Sequence, residues 1–264
     1  MLRLTPVVKN LLIINIVVYL LQSLLSGVNV THILSLWKFG SVNFAPYQFV
    51  TYMFAHGGFT HILFNMFGLI FLGPLLEQFW GPKKFLIFYM VTGIGAGFLY
   101  NGIEYVQVSG IQNQVEVYLS DPNPEAFNEL IANNDSGIRP EIYDFIDKYA
   151  KNPDSERLRS MSMEYANQLL DIKWNFGSML GASGAVYGIL MAFGLLFPNT
   201  ELMLLIPPIP IKAKYLVLIL GGIALYSGLN AGAEDNTAHF AHLGGMVFAF
   251  IMIQIWKKDR NQFY

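Results

Sequence analysis

The residues in this chain with the chemistry to cut a bond are few, and they sit where bond-cutting residues are costly to keep. Ser183 lies in Gly181-Ala182-Ser183-Gly184-Ala185-Val186-Tyr187-Gly188, and His242 in Ala241-His242-Leu243-Gly244-Gly245. A hydroxyl and an imidazole held together make a nucleophile and its general base, the minimum for acyl transfer. His61 and Asn65 stand four apart, on one face of any helix that carries them, and together they can donate toward a developing oxyanion. Tyr187 follows Ser183 by one turn and shares its face. There are no cysteines, which removes thiol catalysis, disulfides and zinc–cysteine clusters, and leaves the redox compartment open. No cofactor and no metal are expected.

The elements that must position these groups are membrane spans. The 264 residues are 54% hydrophobic and 13% charged, against about 25% charged in a soluble domain. A net charge of -2 supplies no basic footprint for nucleic acid, which is excluded as a partner. A helix crossing the hydrocarbon core needs about 20 predominantly apolar residues. Runs near 9–26, 59–79, 84–104, 178–197, 213–231 and 237–256 meet that need. The first lacks a small-residue cleavage pattern and reads as a retained span. Within the spans, His61, Glu77, His239 and His242 are the ionisable residues, each a functional candidate by default.

Cations set the orientation. Arg3 and Lys9, Lys83 and Lys84, Lys212 and Lys214, and Lys257, Lys258 and Arg260 all fall on one side of a six-span chain. That side is expected to be cytoplasmic, with both termini inside. Pro207, Pro208 and Pro210 then lie in a cytoplasmic loop as rigid turns. Residues 28–58 mix aromatic and polar residues and are expected at the outer leaflet. Residues 105–177 hold most of the acidic residues, with turn signals at Asp121-Pro122-Asn123-Pro124, Asn133-Asn134-Asp135 and Asn152-Pro153-Asp154. Helical spacing over 125–131, 141–149 and 157–170 predicts a small external helical unit, either a platform for substrate or partner or a solvated spacer.

Three motifs in this order resemble the rhomboid family of intramembrane serine proteases: His61-Ile62-Leu63-Phe64-Asn65, Gly181 to Tyr187, and Ala241 to Gly245. The resemblance covers everything outside 105–177. It implies an all-α polytopic membrane protein, a six-transmembrane-helix rhomboid-like bundle, with spans one to three in 1–104, an extracytoplasmic insertion in 105–177, and spans four to six in 178–264. It further implies Ser183 as nucleophile, His242 as base, His61 and Asn65 at the oxyanion hole, and Tyr187 packed on the imidazole. Gly181 and His56 take supporting roles, and Glu77 and Gly81 structural ones at the inner end of span two. His242 is preferred to His239 because Gly245 and Ala249 follow it at the family's spacing. Ala249 stands where glycine is commoner, and Tyr47-Gln48 where many members carry Trp-Arg. The partners implied are transmembrane protein substrates and membrane lipid; the absence of cysteines and the short loops suit a bacterial inner membrane.

No third member of a triad is evident. Glu77 is 16 residues beyond His61, about 24 Å along a helix, and Glu234 and Asp235 precede His242 in a loop. The expected mechanism is a Ser-His dyad. A rhomboid-like pseudoprotease that binds transmembrane clients, or a multi-pass transporter, are the competing readings. The first would lack the serine or histidine, and the second would carry inverted repeats and broken helices.

Overall fold

The computed structural model describes residues 4–25, 27–134, 140–203, 208–230 and 239–261, with side chains in the last segment to Lys257. Arg3, Asp135, Pro207, Glu234 and Asp235 lie outside the described residues, as do the side chains of Lys258 and Arg260. Helices dominate. Helix α1 (Pro6–Leu24) is followed by two short helices, α2 (Val30–Leu34) and α3 (Gln48–Thr51), and a 3₁₀ turn at Tyr52–Phe54. Helices α4 (Phe59–Trp80) and α5 (Pro82–Ser120) come next, then α6 (Pro124–Ala132), α7 (Glu141–Lys151) and α8 (Glu156–Asn175). The chain closes with α9 (Ser183–Leu196), α10 (Ala213–Asn230) and α11 (His239–Asn261).

Five of these helices are long and apolar enough to cross a membrane: α1, α4, α5, α10 and the stretch His239–Lys257 of α11. Their outward faces carry Ile13, Val17, Leu20, Phe64, Phe71, Leu218 and Ile251, all exposed and apolar, as a lipid-facing surface must be. The chain is an integral membrane protein. Helix α9 is apolar too but only 14 residues long, shorter than the 178–197 expected. Its N-terminal end is used up by an extended approach through Gly177 and Gly181, both at positive φ, so the helix starts at Ser183 itself.

Helix α5 overruns its expected end at residue 104. Its 39 residues span about 58 Å, roughly twice the hydrocarbon thickness of about 30 Å. Nothing in 105–120 stops a helix, and the stop comes at Asp121-Pro122, where a proline N–H is missing. Helices α6, α7 and α8 form on the three stretches whose spacing predicts them. They pack on the C-terminal part of α5 around their own core of Val115, Tyr118, Phe127, Leu130, Phe145, Tyr149, Leu158 and Leu169. Asn123 and Ser155 cap α6 and α8 by accepting from the backbone N–H of Ala126 and Leu158.

The main core joins α1, α3, α4, α5, α9 and α11. Glu77 is 2% exposed and caps a different helix from its own: its carboxylate accepts from Val7 N at 3.0 Å, from Val8 N at 3.0 Å and from the Thr5 hydroxyl. A negative group at the positive end of α1 is well placed electrostatically. Gly81, at φ +81°, is the single residue linking α4 to α5, and a side chain there would be strained.

The fold is mostly helical, and one expectation needs correction, Pro210 as a turn residue. Glu201–Met203 (β1) pairs antiparallel with Pro210–Lys212 (β2). Pro210 is therefore a strand residue on an edge, where its missing N–H costs no ladder bond. Within residues 28–58, Leu36, Phe49, Tyr52 and Met53 are fully or almost fully buried in the main core. Tyr52 Oη donates to Gly93 O at 2.6 Å. Gln48 accepts from Trp37 N and Ala45 N and donates to Asn43 O, and Tyr47 Oη donates to Ile33 O. Tyr47 and Gln48 thus help tie this loop to itself, together with Thr51, whose hydroxyl donates to Leu34 O at 2.9 Å.

A candidate serine–histidine site

The site is built where three helices meet through small residues. A methyl group on Gly245 of α11 would lie 1.9 Å from Gly184 O of α9, and one on Gly184 would lie 2.5 Å from Ala96 Cβ of α5. The backbones of α9 and α11 are thus in direct contact, as small residues permit. His242 is one turn before Gly245 and so faces the same neighbour. Its Nε2 lies 2.9 Å from Ser183 Oγ. With the proton on Nδ1, Nε2 accepts from the serine hydroxyl, the direction a general base requires.

The Tyr187 ring stacks on the His242 imidazole, centroids 4.1 Å apart and planes 3° from parallel. Stacking fixes the plane of the imidazole and leaves its nitrogen edge free. His239 is one turn earlier, its ring 6.3 Å from that of His242. Both histidines line a cavity of about 1290 Å³ with Ser183, His61, Asn65 and Tyr187.

On the opposite wall, His61 Nδ1 accepts from Gly57 N at 3.3 Å, which leaves the proton on Nε2. That edge faces Gly181, where an added methyl would meet His61 Nε2 at 2.7 Å. Gly181 has φ +120° and donates its N–H to Tyr52 O at 2.9 Å. Both its conformation and this close approach require glycine. Asn65 donates one Nδ2 hydrogen to His61 O at 3.0 Å, which fixes the amide and leaves the second hydrogen for the cavity.

His56 is 3% exposed and stands behind this wall, its ring 5.1 Å from that of His61. Burial, with His61 opposite, holds its imidazole down at about 4. Its backbone N–H donates to Gln22 Oε1, and Gln22 Nε2 donates back to His56 O. Gln22 is therefore a support of the site that sequence reading passed over. Asn15 on α1 is a second wholly buried amide, donating to Leu11 O at 2.7 Å. Both are amides inside an apolar run, and counting only ionisable residues hid them.

Among the described residues, Glu104 is the carboxylate lining the cavity, and it is paired with Lys38 at 3.3 Å. Glu77 is committed to α1. No cluster of three or more metal-ligating side chains occurs among the described residues.

A helical membrane protein with a serine and a histidine in hydrogen-bond contact between two tightly packed helices defines a narrow class. The rhomboid domain model matches residues 43–111 and 159–258, well over half of the sequence, and the chain belongs to the rhomboid family. The match breaks over 112–158, the outer end of α5 with α6, α7 and the start of α8. The chain is 33% identical over 99 residues to the Bacillus subtilis (strain 168) protein named "Putative rhomboid protease YdcA", covering 35% of this chain and 47% of that one. It is 26% identical over 110 residues to "Rhomboid protease GlpG" of Yersinia pestis (strain Pestoides F), covering 40% of this chain and 39% of that one. The Yersinia pseudotuberculosis (serotype O:3, strain YPIII) protein of the same name matches to the same extent. The chain thus spans less than half the length of these relatives.

Proposed function

We propose that this protein is an intramembrane serine endopeptidase working through a Ser183–His242 dyad. The observation that carries the reading is the 2.9 Å contact between His242 Nε2 and Ser183 Oγ, with the imidazole stacked on Tyr187 rather than oriented by a carboxylate. His242 takes the serine proton as Oγ attacks the scissile carbonyl, then gives it to the leaving amine. Water hydrolyses the resulting acyl-enzyme by the same route in reverse. The oxyanion of each tetrahedral intermediate is held by the Ser183 N–H, at the free start of α9, with His61 Nε2 and Asn65 Nδ2. Each such donor is worth about 3 kcal/mol of barrier.

The bundle has six spans, with α9 as the short fourth one and both termini cytoplasmic by the positive-inside argument. Its short length suits a helix that begins at the floor of a water-filled cavity rather than at the membrane surface. Residues 105–177 form an extracytoplasmic insertion. Substrates are transmembrane proteins whose helix unwinds near its outer end, the relatives' names agree with proteolysis, and the location is a bacterial inner membrane.

The test is detergent-purified protein with a fluorophosphonate probe and a model transmembrane substrate. Ser183→Ala and His242→Ala should each abolish labelling and cleavage, while His239→Ala retains most of both. Labelling that survives Ser183→Ala, or a folded wild type that neither labels nor cleaves, would sink the reading and favour a client-binding role.

A further inference from the structure

The segment leading into Ser183 is fastened to the loop 36–52 at several points, and the strongest of them is a buried lysine. Lys38 is 8% exposed. Its Nζ donates to Lys173 O at 2.7 Å and to Phe176 O at 3.2 Å, and it pairs with Glu104 of α5 at 3.3 Å. A buried ammonium persists only when its charge and its hydrogens are both satisfied. Here the two carbonyls belong to the C-terminal end of α8, the negative end of that helix, so one side chain caps α8 and fastens it to α5.

Neighbouring contacts follow the same seam. Asn175 Oδ1 accepts from Ser41 Oγ and Val42 N, both at 3.0 Å. The Trp174 ring lies so close over Gly40 that a methyl there would sit 2.5 Å from it. Beyond Phe176 the chain turns at Gly177, exchanges two backbone bonds between Met179 and Leu36, and reaches Gly181, whose N–H is held by Tyr52 O. Ser183 is two residues further on.

On the dyad reading above, we propose that Lys38 is a positioning residue: it locks the end of α8 to the loop 36–52 and thereby fixes the run 176–182 that presents Ser183 and its N–H. The outer unit α6–α8 is then a lever on the site rather than a spacer, because α8 is both its last helix and the start of that run. Lys38 and Glu104 also line the cavity that holds Ser183, so exchange in 176–182 is the readout that separates positioning through the backbone from a direct effect of the charge on substrate.

The experiment uses the full chain in detergent with Lys38→Met, which keeps the stem and removes the charge, and Lys38→Arg. The readouts are hydrogen–deuterium exchange in the peptide covering 176–182, the fluorophosphonate labelling rate, and kcat and KM per folded molecule. Lys38→Met should speed exchange in 176–182 and lower kcat and labelling by about tenfold with KM within about twofold. Lys38→Arg should recover much of the loss. If Lys38→Met does not fold, Asn175→Ala should move the same readouts in the same direction by less. Unchanged exchange in 176–182, or a loss of activity that only tracks the folded fraction, would overturn the proposal. A wild type without labelling or cleavage would refute the dyad, while the exchange comparison would still decide whether Lys38 fixes the run.

Discussion

Replacing Gly245 by alanine adds one methyl group at the tightest point between the two helices that carry the dyad. That methyl would lie 1.9 Å from Gly184 O, whereas real Cβ contacts essentially never fall below 3.0 Å. The obstacle is backbone, so no side chain can swing aside. Helices α9 and α11 must part by about 1 Å, and misplacements of that size cost about 100-fold in rate. Since His242 is one turn from Gly245 and Ser183 one residue from Gly184, the separation falls directly on the 2.9 Å Ser183–His242 contact. Stretched toward about 4 Å it leaves the range of proton transfer. Overpacking also costs about 1–3 kcal/mol of stability, so kcat must be measured per folded molecule. The comparison is Gly222→Ala on α10, where nothing lies within 4 Å of an added methyl and activity should be retained. The assay is cleavage of a transmembrane substrate, with fluorophosphonate labelling alongside. Wild-type kcat in a folded Gly245→Ala protein would show that the close helix contact does not set the dyad.

Two further outcomes follow from groups that take no direct part in the proposed chemistry. Glu77→Gln replaces a carboxylate holding three donors at the start of α1 with an amide that has one acceptor oxygen. It should cost about 2 kcal/mol, read as a lower thermal unfolding midpoint with kcat per folded molecule unchanged; an unaltered midpoint would contradict the capping role. His56 is held at about 4 in the fold against an ordinary 6.5, so between those values the unfolded chain takes up a proton that the folded chain refuses. Its contribution to stability is therefore level above pH 6.5 and declines as pH falls toward 4. His56→Phe should flatten the unfolding midpoint in that window relative to wild type, and parallel curves for the two proteins would refute this.

Motif and periodicity made much of the arrangement legible. The apolar runs marked the spanning helices to within a few residues at α1, α4 and α10, because lipid imposes length and composition together. The spacing of small residues around Ser183 and His242 signalled close helix contact, and the contact at Gly245 and Gly184 is of that kind. Where α5 would end was not legible from hydropathy. A helix leaving the membrane loses its apolar pattern without losing its hydrogen bonds, and only Asp121-Pro122 stops it. Lys38 gave no signal either. A lone lysine in a loop reads as solvated, and its burial depends on α5 and on carbonyls 135 and 138 residues away. Gln22 and Asn15 escaped for a related reason: an amide changes no charge count, yet Gln22 bonds the His56 backbone on both sides and Asn15 is wholly buried.

The continuity of α5 gives the outer unit its mechanical meaning. A domain hung on two flexible linkers would reorient freely and could not influence a site below it. Here one connection is unbroken helix and the other is a seam fixed by a buried ion pair, two capped carbonyls and a ring seated on backbone. Movement of α6–α8 relative to the bundle must bend α5 or break the seam at Lys38. Helix α5 carries Gly102 and Ser109-Gly110 between the bundle and the outer unit, with open space around both glycines, and a Gly/Ser pair is a place where a helix can bend; the seam at Lys38 is what opposes such a bend. On the proposed role of Lys38, a displacement of α8 is passed on at Phe176, seven residues before Ser183.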